Sequence, residues 1–319
     1  MINVSGLSKK FSNIEALKGI SFSIEKGEIF GLLGPNGAGK TTTISILSTL
    51  LLPDSGSAQL NGFDLIRDAE KVKRIIGVVP QEIALYQDLS AWDNLIFWGG
   101  LYKIPSAKLR ERASLILKLV GLYERRDDKI KTYSGGMKRR INIASALLHS
   151  PEIIFMDEPT VGIDPQSRNL IYEIIEKLNK DGITIVYTTH YMEEAERLCK
   201  RIGIIDNGQI IAKGTLDELR ETSGTQQCIV IRISNMFSEQ VESEGIISKF
   251  ISEEMADVPG GNFFFRNGAL QYFSKDITRD LLRLVNRLAK FGLDIASVDI
   301  QRPTLESIFL RLTGKELRD

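Results

Sequence analysis

Apolar and polar residues follow two different periods along the first 220 residues. Four apolar runs have the length of buried strands, at residues 28–33, 75–79, 153–156 and 183–189. Between them, apolar residues recur at spacings of three and four, which predicts amphipathic helices. Nearer the start, residues 2–7 and 20–24 alternate as short strands. The pattern predicts an α/β fold in which parallel strands form part of a mixed sheet.

A long stretch without a strand signal interrupts this alternation. Between residues 90 and 122 the apolar positions keep helical spacing, which places a helical subdomain at about residues 85–150. Its beginning is rich in aromatic residues, namely Trp92, Phe97, Trp98 and Tyr102. We expect most of them in the core and one or two in an exposed docking surface.

The pattern changes again from about residue 221. A polar linker is followed by predicted strands at 228–233, 263–273 (a hairpin) and 295–300, and by predicted helices at 238–250, 276–290 and 304–312. The order predicts a small α+β domain of ferredoxin-like type over residues 221–319, behind the α/β domain of residues 1–220. Because this segment carries no constellation of catalytic residues, we expect an interaction or dimerisation module.

Composition limits the possible partners. The chain has 319 residues, and its 41 basic residues match 41 acidic ones, so no global basic field favours nucleic acid. Cys199 and Cys228 have no metal or redox spacing and fit a reducing cytosol. No apolar run reaches the roughly 20 residues of a membrane span, and the first residues show no signal-peptide pattern. A role at a membrane would therefore need a separate membrane-embedded partner.

Residues 34–41 carry the strongest chemical signal. They read Gly-Pro-Asn-Gly-Ala-Gly-Lys-Thr, the G-x-x-x-x-G-K-T pattern of a phosphate-binding P-loop between a strand and a helix. The glycines let backbone N–H groups approach phosphates at the positive end of the helix dipole. Lys40 supplies a charge for the β- and γ-phosphates, and the Thr41 hydroxyl is a hard ligand for Mg²⁺. The residues predicted to bind the nucleotide here are Gly34, Pro35, Asn36, Gly37, Ala38, Gly39, Lys40, Thr41 and Thr42. The P-loop alone does not separate a kinase, a GTPase, a helicase or a transport ATPase.

Each of the other three apolar runs is followed by polar residues, which are Gln81, Asp157 with Glu158, and His190. The carboxyl ends of parallel strands meet at one edge of a sheet, where ligands bind, so we expect these residues beside the P-loop. Asp157 is predicted to hold Mg²⁺, directly or through water. Glu158 is predicted to orient or deprotonate the attacking water.

Two further features are less specific. Residues 133–137 predict a second helix N-terminus able to hold a phosphate, with Ser134 as N-cap and Gly135 and Gly136 exposing backbone donors. One nucleotide rarely needs two such sites in one chain unless a second copy supplies one of them. Phe11, on a predicted loop between the first two strands, either stacks on a purine base or packs in the core.

Taken together, the motifs of residues 1–220 resemble the ATP-binding subunit of an ABC transporter. In family order they are the P-loop, the glutamine loop at Gln81, the signature loop at 133–137, Asp157-Glu158, the Gly-Ile-Asp loop at Asp164 and the switch histidine His190. The signature departs from the commonest form, Leu-Ser-Gly-Gly-Gln, at both outer positions, and Met137 removes a polar side chain. Phe11 matches the base-stacking aromatic of the family. The end of the chain, residues 302–314, is similar to the closing motif of the multidrug and daunorubicin-resistance export subfamily.

The resemblance implies that two subunits meet head to tail, as a homodimer or with a paralogous cassette. Each ATP would lie between one P-loop and the partner's signature loop, with Ser134, Gly135, Gly136 and Asp164 facing the partner's nucleotide. The resemblance also implies that His190 contacts the γ-phosphate. Gln81 would join Thr41 and Asp157 around Mg²⁺.

The same resemblance implies a membrane permease that docks on the helical insert, and a cytoplasmic subunit peripheral on the inner face of the cell membrane. Two alternatives stay open beside this exporter ATPase. One is an ABC ATPase acting on ribosomes or DNA, although such chains usually carry two cassettes or a coiled-coil insertion. The other is a regulatory module that holds ATP without turnover, against which Glu158 and His190 argue.

Overall fold

The computed structural model describes residues 1–223, 227–234, 250, 263–266, 269–274, 276–301 and 303–313. Contacts between residues divide the chain into two compact units, Met1–Leu219 and Arg220–Lys315.

Strands before residue 220 are β1 (Ile2–Phe11), β2 (Ile14–Ile24), β3 (Ile29–Leu33), β4 (Ser55–Leu60), β5 (Phe63–Asp64), β6 (Ile76–Val79), β7 (Ile153–Asp157), β8 (Thr184–Thr189), β9 (Arg201–Asp206) and β10 (Gln209–Gly214). Helices up to residue 223 are α1 (Lys40–Leu47), α2 (Ala69–Ile75), α3 (Ala91–Leu101), α4 (Ser106–Leu119), α5 (Gly135–Leu147), α6 (Pro165–Lys180), α7 (Met192–Leu198) and α8 (Leu216–Ser223). Short 3-10 turns lie at Tyr123–Arg125 and Ile130–Thr132.

A six-stranded sheet in the order β10-β9-β3-β8-β7-β6 forms the centre of the first unit. All neighbours in it are parallel except β10, which is antiparallel to β9, so the predicted mixed sheet is confirmed. Along β7, Phe155 belongs to one core cluster and Ile154 and Met156 to the other. Because successive side chains of a strand point to opposite faces, this sheet is buried on both sides.

A four-stranded antiparallel sheet, β2-β1-β4-β5, packs on one side of that core. Strand β1 is longer than its alternating pattern predicts, because register shifts let it pair with β2 as far as Phe11 and Ile14. The prediction that Phe11 lies on a loop is therefore wrong, since it is the last residue of β1. The turn at Asn61 and Gly62 has positive φ at both residues, as a two-residue type I′ hairpin turn requires.

The helical insert consists of α3, α4 and α5, which pack against one another around the core cluster that contains Ile154 and Met156. Trp92 and Trp98 pack against this core, whereas Phe97 and Tyr102 are exposed. Ser90 caps α3 by accepting a hydrogen bond from the Asp93 backbone. The insert therefore presents aromatic side chains both inward and outward.

The second unit contains a four-stranded sheet in the order β12-β13-β11-β14. Its strands are β11 (Gln227–Ile233), β12 (Phe263–Arg266), β13 (Ala269–Ser274) and β14 (Ile295–Gln301), and its helices are α9 (Ile277–Lys290) and α10 (Leu305–Thr313). All pairings are antiparallel, and α9 buries Leu284 and Leu288 in a core with the β11 isoleucines. The predicted helix at 238–250, except Phe250, and the predicted turn at 267–268 lie outside the described residues.

Candidate active site

The P-loop connects the end of β3 to α1 in a conformation that demands glycine. Gly39 has φ 109°, and a Cβ there would lie 2.7 Å from the Ala16 carbonyl oxygen. At Gly34 a Cβ would lie 2.1 Å from the carbonyl oxygen of Ile205, so no side chain fits. The first turn of α1 thus begins against backbone on two sides, with its N–H groups at the loop.

Lys40 lies inside this loop with only 4% of its surface exposed. Its Nζ donates to the carbonyl oxygens of Gly34 at 2.7 Å and Pro35 at 3.0 Å. It also lies 3.0 Å from Oε1 of Glu158, which is buried to the same extent. A buried cation and a buried carboxylate therefore compensate each other at the carboxyl edge of the sheet.

Glu158 is the residue around which the other strand ends meet. Its Oε2 lies 3.2 Å from Nδ1 of His190 and accepts from Nε2 of Gln81 at 3.4 Å. The His190 contact has ion-pair distance without the angle of a hydrogen bond. Glu158 itself has φ 44°, an uncommon value for a residue with a side chain, and Thr188 fixes it by accepting from its backbone N–H. The structure thus brings together Lys40, Gln81, Glu158 and His190.

Oxygen donors suited to Mg²⁺ lie along the same edge. The Thr41 side chain is exposed at the start of α1. Asp157 is buried, and its Oδ1 accepts from the Thr188 hydroxyl at 2.6 Å, which leaves Oδ2 for another partner. Together with the Gln81 amide oxygen these are the hard ligands that Mg²⁺ prefers. In the described residues no cluster of three or more acidic, histidine or cysteine side chains forms a metal site by itself.

The signature loop forms a second group, beside the Asp164 turn. Ser134 caps α5 by accepting from the Met137 backbone at 3.3 Å, as predicted. Gly136 packs so closely on α6 that a Cβ would lie 2.3 Å from Ser167. Asp164 caps α6 through a bond from the Ser167 N–H at 2.9 Å, which holds the pKa of the Asp164 carboxyl below its usual value. Within the described part of the chain, no hydrogen bond or ion pair joins these residues to Lys40 or Glu158.

The other predicted ATP contacts lie around the P-loop. Asn36 and Gly37 are exposed, Pro35 and Thr42 are half-buried, and Ala38 is buried against the core. Phe11 leaves 46% of its surface exposed, and Lys9 Nζ lies 5.8 Å from its ring centroid. An exposed aromatic ring at a strand end is consistent with a stacking role, and the core alternative for Phe11 is wrong.

Sequence reasoning missed Glu194, a carboxylate in α7 with 2% of its surface exposed. Within the described residues four hydroxyls donate to it, at 2.6–2.9 Å, from Thr160, Tyr172, Tyr187 and Thr189. Burial raises the pKa of Tyr187, and the nearby carboxylate adds to that shift. The cluster ties the segments after Glu158 and before His190 to α6 and α7. The sequence does not reveal the whole cluster, because Thr160 and Tyr172 lie 34 and 22 residues from Glu194 along the chain.

Comparison with known proteins places this geometry in a family. A sequence profile described as ABC transporter matches residues 17–161. The linearmycin resistance ATP-binding protein LnrL of Bacillus subtilis (strain 168) is 44% identical, and the alignment covers 100% of both chains. The chain belongs to the ABC transporter family of ATP-binding proteins. As a member it binds ATP and hydrolyses it.

Other relatives agree with this assignment. The Nod factor export ATP-binding protein I of Ralstonia nicotianae is 36% identical, covering 100% of this chain and 95% of that protein. The daunorubicin/doxorubicin resistance ATP-binding protein DrrA of Streptomyces peucetius is also 36% identical, over 100% and 94%. A solved dimeric ATP-binding cassette in a post-hydrolysis state with ADP and Pi superposes with a TM-score of 0.62 at 30% identity, covering 68% of this chain and 99% of that one. Among the described helices, none combines the length and the apolar character that crossing a bilayer requires.

Proposed function

We propose that this chain is the ATP-hydrolysing subunit of a membrane exporter and that a separate permease subunit forms the transport path. The observation that carries the proposal is Glu158, held between Lys40, His190 and Gln81 at the carboxyl edge of the sheet. The names of the full-length relatives, which concern resistance to linearmycin and daunorubicin or the export of Nod factor, favour export.

In this proposal the P-loop holds the phosphates and Glu158 acts on water. Lys40 exchanges its carbonyl and Glu158 partners for the β- and γ-phosphates, which frees the Glu158 carboxylate to accept a proton from the attacking water. His190, 3.2 Å from Glu158, contacts the γ-phosphate and stabilises the negative charge that develops on it. Thr41, Asp157 and Gln81 would hold Mg²⁺, which would supply positive charge to offset that of the nucleotide phosphates.

Two copies complete each site. Ser134, Gly135, Gly136 and Asp164 form one compact group that is separate from the P-loop residues. A helix N-terminus with exposed N–H groups binds phosphate, so we assign this group to the ATP held by a second copy or a paralogous cassette. The structure of a dimeric cassette among the similar proteins supports this arrangement.

A groove between the sheet and the helical insert is the proposed docking site of the permease. It has a volume of about 640 Å³ and is lined mainly by apolar residues, including Leu50, Val78, Pro80, Trp98 and Tyr102. It lies next to the Gln81 loop, so a permease segment seated there would contact the loop that reaches Glu158. Docking there would hold the chain peripherally at the inner face of the cell membrane. We propose the second unit as an interaction or dimerisation module.

ATP turnover by the full chain and by Glu158→Gln tests the enzymatic part. Loss of the general base is expected to lower kcat by about a hundredfold or more while ATP still binds. Glu193→Gln, an exposed carboxylate in α7, is the matched control and should keep its turnover. Equal turnover of all three proteins would contradict the proposal. Purification from membranes of a native host then tests export, because recovery with ribosomes or DNA instead of a multi-span protein would favour the alternative.

A further inference from the structure

Arg139, on the second turn of α5, reaches across to the glutamine loop. Its guanidinium donates to the carbonyl oxygens of Pro80 at 2.7 Å and Gln81 at 2.6 Å. Only 4% of the residue is exposed, and burial lowers the pKa of its guanidinium. A planar fork with several donors fits two neighbouring carbonyl groups better than a single ammonium does.

One turn later, Asn142 contacts the same loop. Its Nδ2 lies 3.4 Å from the Pro80 carbonyl oxygen and 3.5 Å from that of Glu82. Side chains of α5 therefore hold three successive backbone carbonyls of the loop. The neighbouring Arg140 points elsewhere, since its guanidinium donates to the Val120 carbonyl oxygen at 2.8 Å, inside the helical insert.

We infer that Arg139 is a positioning residue that makes the glutamine loop move as one body with α5. The inference rests on the proposed function. Ser134, which caps α5, is assigned to the partner's ATP, and Gln81 Nε2 lies 3.4 Å from Oε2 of Glu158. Pro80 also lines the proposed permease groove. Binding of the partner's ATP at Ser134 would act on α5, and docking of the permease would act on Pro80. Through Arg139, both events reach the glutamine loop, which approaches Glu158.

The consequence of losing this link follows from the contacts. Without the guanidinium, the Pro80 and Gln81 carbonyls lose their charged donor in a partly buried place, and the loop is held less firmly to α5. The P-loop contacts with ATP are unchanged, because Arg139 makes none of them. The chemical step should therefore suffer more than ATP binding.

Steady-state ATP hydrolysis by the full chain tests the inference, with Arg139→Gln, Arg139→Lys and the matched control Arg140→Gln. We expect Arg139→Gln to lower kcat about tenfold or more and to change KM for ATP by less than about threefold. Arg139→Lys should recover part of the lost kcat, because its ammonium group again offers a charged donor to the loop carbonyls. Arg140→Gln should stay within about threefold of the wild type in both constants.

Wild-type kcat in Arg139→Gln, or an equal loss in Arg139→Gln and Arg140→Gln, would overturn the inference. If Arg139→Gln does not fold, hydrogen–deuterium exchange of Arg139→Lys decides, since exchange in residues 80–84 should rise while the P-loop stays unchanged. Unchanged exchange at 80–84 would overturn it too. Failure of the proposed function is distinguishable, because then the wild type itself would not hydrolyse ATP.

Discussion

At the scale of single residues, the pair Lys40 and Glu158 concentrates two buried charges 3.0 Å apart at the end of the sheet. Each follows a different strand end. Lys40 Nζ donates to the Gly34 carbonyl oxygen, and the Glu158 backbone N–H donates to the Thr188 hydroxyl. Removing one partner leaves the other buried with less compensation, which is costly in a protein interior. The arrangement is therefore sensitive to single substitutions on both sides.

Lys40→Ala is expected to lower ATP turnover by at least about a hundredfold, because the phosphates lose a preorganised positive charge. Lys26→Ala, in the exposed turn before β3, is the matched control and should hydrolyse ATP normally. Turnover of both variants is measured at saturating ATP and Mg²⁺. Wild-type turnover in Lys40→Ala would remove this residue from the mechanism.

Glu194→Ala is expected to destabilise the first unit by about 3 kcal/mol, since four buried hydroxyls lose their acceptor at once. Urea unfolding, followed by fluorescence, measures the change. The adjacent, exposed Glu193→Ala should shift the free energy of unfolding by less than about 0.5 kcal/mol. Equal midpoints for the two variants would show that the hydroxyl cluster contributes nothing to stability.

At the scale of elements, Asp164 both caps helix α6 and belongs to the loop that we propose to contact the partner's ATP. Asp164 caps the helix through the Ser167 N–H, while Gly136 brings α5 against the same first turn. The cap satisfies one of the free donors of the helix and fixes where the loop ends. The signature loop and the Asp164 loop are thereby held together for the proposed contact with the partner's ATP.

The lowered pKa of Asp164 predicts a pH dependence of stability. A depressed pKa in the folded state means that the carboxylate stabilises the fold above its unfolded pKa of about 3.9, and that this contribution is lost as pH falls through the folded pKa. Asp164→Asn keeps a capping acceptor without this titration. The difference in unfolding free energy between the two proteins should therefore shrink from neutral pH to about pH 3. A difference in unfolding free energy that does not change with pH would contradict the lowered pKa of Asp164.

Several elements could be predicted because their signals are local. Each strand end at the site follows a continuous apolar run, and parallel strands share one edge. Helix α2 was not predicted, since its seven residues make fewer than about two turns, which is too short for the apolar residues to establish a helical period. The partners of Arg139 and Glu194 could not be predicted either. They lie on segments that only the fold brings together, and their donors and acceptors include backbone groups that every residue has.

At the scale of the whole molecule, we propose that the chain carries two halves of a nucleotide site, and in the part of the chain that the structure describes no hydrogen bond or ion pair joins them. Lys40, Glu158 and His190 form one group, and Ser134 with Asp164 forms the other. Burying a triphosphate between two copies would supply donors from both sides and exclude water from the γ-phosphate. Catalysis would then depend on association, which in the proposed exporter is the event that a permease senses.

The molar mass of Glu158→Gln in solution, measured by light scattering with ATP and Mg²⁺, tests this shared site most directly. Slow hydrolysis should trap a dimer, so the mass should double from 35.7 kDa with ATP and remain monomeric with ADP. Adding Ser134→Arg, which places a bulky side chain on the phosphate-facing end of α5, should prevent the dimer while the P-loop still binds ATP. A protein that binds ATP and stays at 35.7 kDa at every concentration would contradict the account.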